Sequence, residues 1–187
     1  MYIIDGMPLD LAKYNLEQLA KKSRKSWTES ELDLLLDAFN KEDIYPTFNI
    51  EFNLENVTTL LEISWCRQCG RCCIPDPNKP NDCGIMVHED ELKQIGLVTG
   101  RSYKELLRKT TKDKTPGRKR FRLIRYPCMF HSDAGCTVYE RRPTICCTYP
   151  ITTDIKSDGI SFIKINIRCE YGRDIYKALH ERMVQQD

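Results

Sequence analysis

The chain has little histidine, three residues in 187, and no apolar run that approaches the roughly 20 residues a membrane-spanning helix needs. Its N-terminus, Met1-Tyr-Ile-Ile-Asp-Gly-Met-Pro8, lacks the basic segment, apolar core and small-residue cleavage site of a secretory signal, so the expected compartment is the cytoplasm and no membrane association is expected. There is no internal repeat, no low-complexity tract, no glycine-rich cofactor loop and no nucleic-acid-binding motif. Net charge is only +2, which argues against nucleic acid as a dedicated partner. A composition of 41% hydrophobic and 30% charged residues is neither that of a disordered chain nor that of a membrane protein.

What the chain does have is cysteine, ten residues, four of them in the run Cys66-Arg-Gln-Cys69-Gly-Arg-Cys72-Cys73. Two-residue spacers let successive thiolates turn inward around one metal centre. In a reducing cytoplasm clustered cysteines read as ligands or catalysts rather than as disulfides. The remaining cysteines are scattered: Cys83, Cys128, Cys136, Cys146, Cys147 and Cys169.

Charge divides the chain near Trp65. Residues 1–65 carry 6 Lys/Arg against 12 Asp/Glu, and residues 66–187 carry 23 against 15. We therefore expect an acidic N-terminal extension of helices and a strand over 1–65, and a cysteine-cluster metal-binding domain over 66–187. In the first, Leu9, Leu11, Leu16, Leu19 and Ala20 recur at helical spacing, and Ser26-Trp-Thr-Glu29 offers a capping box before a second helix bearing Leu32, Leu34, Leu35, Leu36 and Phe39. Phe48, Ile50, Phe52 and Leu54 alternate with polar residues as in a half-buried strand. In the second, the stretch from Ile74 to Asp82 reads as a loop and Ile85-Met-Val87 as a short buried strand. His88 should then cap a helix that runs from Glu89 to about Ile95 and stops near Gly96. Ser102-Tyr-Lys-Glu105 opens a short helix through about Lys109, and residues 121–125 read as a strand. Asp158-Gly159 predicts a hairpin turn before Ile163, Ile165 and Ile167, and a helix from about Glu170 to Met183 closes the chain. The fold class expected is α+β, a small mixed lobe organised by a cysteine-ligated metal site, with N-terminal helices and a C-terminal hairpin plus helix.

The order Cys66-x2-Cys69-x2-Cys72-Cys73, then residues 85–90, Pro127-Cys128, Gly135-Cys136, Tyr139-Glu-Arg-Arg142-Pro143-x2-Cys146, Tyr149-Pro150 and Cys169 resembles the YkgJ-type CxxCxxCC cysteine-cluster family over roughly residues 66–172. The resemblance implies a zinc- or iron-chelating domain, and a related cysteine pattern occurs in flagellin lysine N-methylases. Two departures stand out: Cys147 replaces the arginine common after the preceding cysteine, and Cys169 is followed by Glu-Tyr-Gly instead of Pro-Gly.

Cysteine-only ligation with a remote fourth thiolate resembles the ferredoxin arrangement, whereas zinc more often takes two C-x2-C pairs or recruits histidine. A 4Fe-4S cluster is therefore the favoured cofactor and zinc the alternative. The candidate ligands are Cys66, Cys69, Cys72, Cys73, Cys128, Cys136, Cys146 and Cys169. Cys72 and Cys73 are adjacent, so their side chains are expected to diverge and not to share one metal. Cys83 and Cys147 fit the pattern least, and for each a bystander reading stands beside that of a further ligand. Turn formers around Cys128, Cys136 and Cys146 should leave main-chain amides pointed at sulfur, and Arg142 is the cation expected to offset cluster charge. Tyr139 and Arg142 around Pro143 should build the turn that aims Cys146. Of the histidines, His131 lies between Cys128 and Cys136 but reads as an exposed loop residue, and His180 has no evident partner in the terminal helix.

Three functions follow as expectations: an iron-sulfur protein in electron transfer or acting as an accessory or maturation factor, a structural-zinc interaction module, and a lysine N-methylase-like enzyme. The last is weakened by the short chain and the missing glycine-rich loop. A protein partner is expected, and the basic stretch from Lys104 to Arg125, ten Lys/Arg against two acids, is either a solvated loop or a docking surface for an acidic partner.

Overall fold

A computed structural model describes residues 2–4, 7–75, 84–114, 117, 119–155 and 160–186. In chain order the elements are β1 (Tyr2–Ile4), β2 (Met7–Leu9), α1 (Glu29–Lys41), β3 (Thr47–Glu51), α2 (Leu54–Leu61), β4 (Gly84–His88), α3 (Glu89–Thr99) and α4 (Tyr103–Arg108). There follow β5 (Thr111–Lys112), β6 (Phe121–Arg125), β7 (His131–Ser132), β8 (Gly135–Cys136), α5 (Thr144–Thr148), β9 (Ile151–Ile155), β10 (Ser161–Ile165) and α6 (Glu170–Gln186). The fold is α+β, with every strand pair antiparallel among the described residues.

The chain forms two compact units, one of residues 1–67 with 150–187 and one of residues 68–149. The sequence assigns them opposite charge: 13 Lys/Arg against 18 Asp/Glu in the first, 16 against 9 in the second.

In the first unit, the strand order β3-β10-β9 lets β10 pair on both sides, and its alternating Ile163 and Ile165, with Ile167 beyond, are fully buried. Leu35, Leu36 and Phe39 of α1 and Ile175, Tyr176 and Leu179 of α6 are buried as well, and α6 packs on β10. Each such side chain contributes about 1.5–3 kcal/mol on leaving water. Phe48 of β3 meets Tyr176 edge-on, their ring centroids 5.8 Å apart. Asn166 directs its carbonyl so close to Gly172 that a Cβ there would stand 2.1 Å from the oxygen; only glycine lets the backbones approach in this way. Lys177 on α6 bridges Glu29 (3.1 Å) and Asp33 (2.8 Å) of α1.

Three local expectations are corrected here. Leu9, Leu11, Leu16 and Leu19 are indeed buried, but residues 12–14 and 19–21 form isolated 3-10 turns and Met7–Leu9 is a strand, so the apolar spacing reports burial without an α-helix. The capping box of α1 sits two residues later than read: Thr28 accepts from the Glu31 amide at 3.2 Å, and the Thr28 amide donates to Glu31 Oε2 at 2.8 Å. β3 ends at Glu51, after which Asn53 caps α2, a helix the alternation of Phe52 and Leu54 concealed. The β9–β10 hairpin is present, although the Asp158-Gly159 turn lies outside the described residues.

In the second unit, β4-β6-β5 form an antiparallel sheet with Ile85 opposite Ile124 and Val87 opposite Arg122. Ile85, Val87 and Ile124 pack with Leu92 and Ile95 of α3, Leu106 of α4, Phe130 and Val138 in one core. His88 caps α3 as expected, its Nδ1 accepting the Asp90 amide at 3.3 Å. The helix runs through Gly96 and ends instead at Gly100, whose φ of 67° is the left-handed cap conformation. Gly96 has a packing role: a Cβ there would meet the Arg101 carbonyl at 2.8 Å. Ser102 caps α4 through the Glu105 amide at 3.2 Å. Most of the loop expected from Ile74 to Asp82 lies outside the described residues.

Candidate metal centre

Five cysteines from four separate segments meet in the core of the second unit. Cys73 and Cys128 are buried, and Cys72, Cys136 and Cys146 pack half-buried against the same core. Each reaches it for a local reason. Gly70, at φ 73°, opens a 3-10 turn over Arg71–Cys73, closed by the Cys73 amide on the Gly70 carbonyl at 2.8 Å. That tight turn brings the Cys72 and Cys73 sulfurs to 3.9 Å, where the sequence led us to expect divergence. The Cys128 amide donates to the Cys73 carbonyl at 2.7 Å, tying the second segment to the first. The β7–β8 ribbon pairs His131 with Cys136 and returns the chain after Cys128. The short helix α5 carries Cys146, whose amide closes on the Pro143 carbonyl at 2.8 Å.

The electrostatics suit soft cation binding. Cys73 shares its proton with Cys128: this hydrogen bond, with main-chain amides of Phe130 and His131 also directed at the Cys128 sulfur, holds the Cys128 thiol below its ordinary range against the opposing effect of burial. The Cys73 thiol is pushed up by hydrogen bonding to Cys128 and Cys72 and by burial. Burial raises Cys136 despite an amide from Val138, and burial with the neighbouring Cys72, Cys128 and Cys136 raises Cys146. A crowd of thiols in a poorly hydrated core resists losing several protons unless a cation takes their place.

Among the described residues no three Cys, His, Asp or Glu side chains are already arranged as a closed metal site. The donor chemistry nonetheless fits zinc or iron: the convergent groups are all thiols, and amides of Phe130, His131 and Val138 supply the N–H···S bonds that stabilise bound thiolates.

The other sequence candidates are placed differently. Cys69 is exposed in the second unit, while Cys66, half-buried, and Cys169, buried, belong to the first. Cys83 is outside the described residues. Cys147 is exposed, and its thiol donates to the Arg142 carbonyl at 3.5 Å. The Arg142 guanidinium lies 3.9 Å from the centroid of the Tyr139 ring; burial opposes its charge, but bonding to Tyr139 and Cys147 prevails and keeps it protonated. His131 is half-buried with its ring against Gly70, where a Cβ would stand 2.2 Å from Nε2. His180 is buried between Trp27 (5.3 Å) and Tyr176 (6.3 Å) in the first unit, so its stacking partner was one helical turn away in sequence.

Two residues gained a role no sequence signal announced. Glu91 accepts the His88 amide through Oε2 and the Thr144 amide through Oε1, both at 2.7 Å, reaching 53 positions along the chain. Arg122, inside the basic stretch, points inward and donates to Thr110 Oγ1 (3.2 Å) and the carbonyls of Leu107 (3.0 Å) and Thr110 (3.3 Å). Arg120, beside it, pairs with Asp90 at 2.5 Å. Among the described residues no helix is long and apolar enough to cross a membrane.

No curated protein sequence and no solved structure matches the chain. Residues 65–170, more than half of the chain, match the CxxCxxCC family, described as "Putative zinc- or iron-chelating domain". With thiols from Cys72 to Cys146 gathered in one core inside that segment, the chain belongs to the CxxCxxCC cysteine-cluster family.

Proposed function

We propose that this protein holds an iron-sulfur cluster, of 4Fe-4S type, on thiolates of the second unit and uses it in electron transfer or as an accessory factor for a protein partner. The observation that carries this reading is the meeting of Cys72, Cys73, Cys128, Cys136 and Cys146 in one core, with main-chain amides directed at two of the sulfurs. An all-thiolate set with N–H···S bonds is the environment such clusters use, and the hydrogen bonds to sulfur tune their potential. Cys69, exposed near the 3-10 turn that carries Cys72 and Cys73, is available as a further ligand from the same loop. When bound, the cluster would supply one-electron chemistry; the chain supplies ligands, partial desolvation and the Arg142 cation.

One observation favours a second reading. Thiolates sharing a single tetrahedral zinc with bonds of about 2.3 Å stand about 3.8 Å apart. The Cys72–Cys73 separation of 3.9 Å matches that spacing, whereas a cubane places its own body between thiolates on different irons. A structural-zinc module would then present the basic surface to an acidic partner. The lysine-methylase reading gains no supporting geometry.

Anaerobic purification with quantification of iron, sulfide and zinc separates the two. Iron and sulfide in near-equal amounts, with broad visible absorption bleached by dithionite, is expected. Stoichiometric zinc in a colourless protein would replace the first reading with the second, and a chain free of either metal after reconstitution would refute both.

A further inference from the structure

Helix α5 carries Cys146 and Cys147 but has no cap of its own. Its N-cap position is Pro143, whose side chain offers no acceptor, so the Thr144 amide at the first helical position would be left unpaired. Glu91 fills that vacancy from another element. Its Oε1 accepts the Thr144 amide while Oε2 closes the capping box of α3 on the His88 amide, each at 2.7 Å. Burial opposes ionisation of this carboxyl, yet the amides of Thr144 and His88 and the Thr144 hydroxyl prevail and keep it ionised. One carboxylate thus bolts the start of α5 to the junction of β4 and α3, whose Val87, Leu92 and Ile95 form the core against which the thiols pack.

We infer that Glu91 is a positioning residue of the metal centre: by holding Thr144 it fixes α5 so that the Cys146 thiol faces Cys72, Cys128 and Cys136. The inference rests on the proposed metal-binding reading and adds to it a residue that touches no metal. Glutamine has the same shape but only one acceptor oxygen. At position 91 it turns an NH2 group toward one of the two amides and must surrender either the α3 cap or the α5 tether. Outer hydrogen-bond partners of metal sites, when lost, typically cost roughly 10–100-fold in metal affinity.

The test uses the full chain, stripped of metal and titrated with cobalt(II), whose near-ultraviolet thiolate-to-metal absorption grows with the number of thiolates bound. Four proteins are compared with wild type: Glu91→Gln, Thr144→Pro, Cys146→Ser and Glu91→Gln/Cys146→Ser. Thr144→Pro removes the same donor from the other side, and proline is well tolerated at the first position of a helix, so it remains informative should Glu91→Gln fold poorly. Expected are weaker cobalt binding by roughly 10-fold or more in Glu91→Gln and in Thr144→Pro, with a thiolate band per cobalt reduced toward that of Cys146→Ser. The double variant should lose little beyond Cys146→Ser alone. A wild-type thiolate band that Glu91→Gln and Thr144→Pro both leave unchanged overturns the role of Glu91 and spares the metal centre. Full additivity of the Glu91 and Cys146 losses overturns it too, because Glu91 would then act elsewhere. Absence of any thiolate band in wild type removes both this inference and the metal-binding reading.

Discussion

The main chain of Cys128 hydrogen-bonds to the main chain of Cys73, amide to carbonyl, at 2.7 Å, although 54 residues of sequence separate them. Two segments that each bring a buried thiol are thereby locked at the backbone, independently of any metal.

Serine at Cys146 should remove most of the bound metal, and serine at Cys69 should lower it. Serine at Cys147 should leave metal content unchanged, since its thiol is exposed and occupied with Arg142. Metal analysis of the three purified proteins decides; full retention in a folded Cys146→Ser protein would remove Cys146 from the ligand set.

Chelation should loosen residues 68–149 ahead of the first unit, because thiolate–metal bonds cross-link segments of that unit that are far apart in sequence. Hydrogen exchange followed after chelator addition is expected to accelerate in β4, β6 and α5 while α1, β10 and α6 keep their protection.

Arg122→Ala should destabilise the protein by about 2–3 kcal/mol, the scale for removing a buried charged donor from its acceptors. Its side chain is only 13% exposed, and its loss removes a donor from Thr110 Oγ1 and from the carbonyls of Leu107 and Thr110. Neutralising the neighbouring Arg120, a surface ion pair, should cost less than about 1 kcal/mol. Urea unfolding of both variants reads the difference; equal losses would contradict an inward-facing Arg122.

Acid should weaken the Glu91 tether. Its carboxyl is held below the ordinary value of 4.5, so its contribution is complete above that pH and is lost as pH falls through the depressed folded value. Thermal unfolding of wild type should therefore lose stability below about pH 4.5 more steeply than Glu91→Gln, in which this group no longer titrates. Parallel pH profiles would show that the tether carries no net free energy.

Alanine at Gly70 should cost about 1–2 kcal/mol for its left-handed φ of 73° and push the His131 ring out of its place. Reduced metal binding is expected, because the same turn sets Cys72 beside Cys73. Unchanged metal affinity in this variant would separate the turn from the site.

Local elements whose signal is complete within a few residues could be read directly from the amino-acid order. β4, α3 with its His88 cap, α4, β6, the alternating isoleucines of β10 and the closing helix α6 were legible because side-chain period and capping chemistry act over one or two turns. The dense C-x2-C spacing, which has few other uses, also carried the resemblance to a zinc- or iron-chelating family that the match over residues 65–170 bears out. The remaining features depend on long-range packing. Leu9, Leu11, Leu16 and Leu19 keep a helical spacing yet are buried from 3-10 turns and a strand, because burial constrains which side chains face the core and not the backbone that delivers them. The charge change near Trp65 falls close to where the chain leaves its first unit, but nothing in composition announces the return at Pro150; that depends on β10 pairing with β3 across more than a hundred residues. The convergence of Cys72, Cys73, Cys128, Cys136 and Cys146, and the reach of Glu91 to Thr144, are likewise long-range contacts. Sequence spacing encodes none of them, because their geometry exists only once the β4–β6 sheet and its two helices have packed.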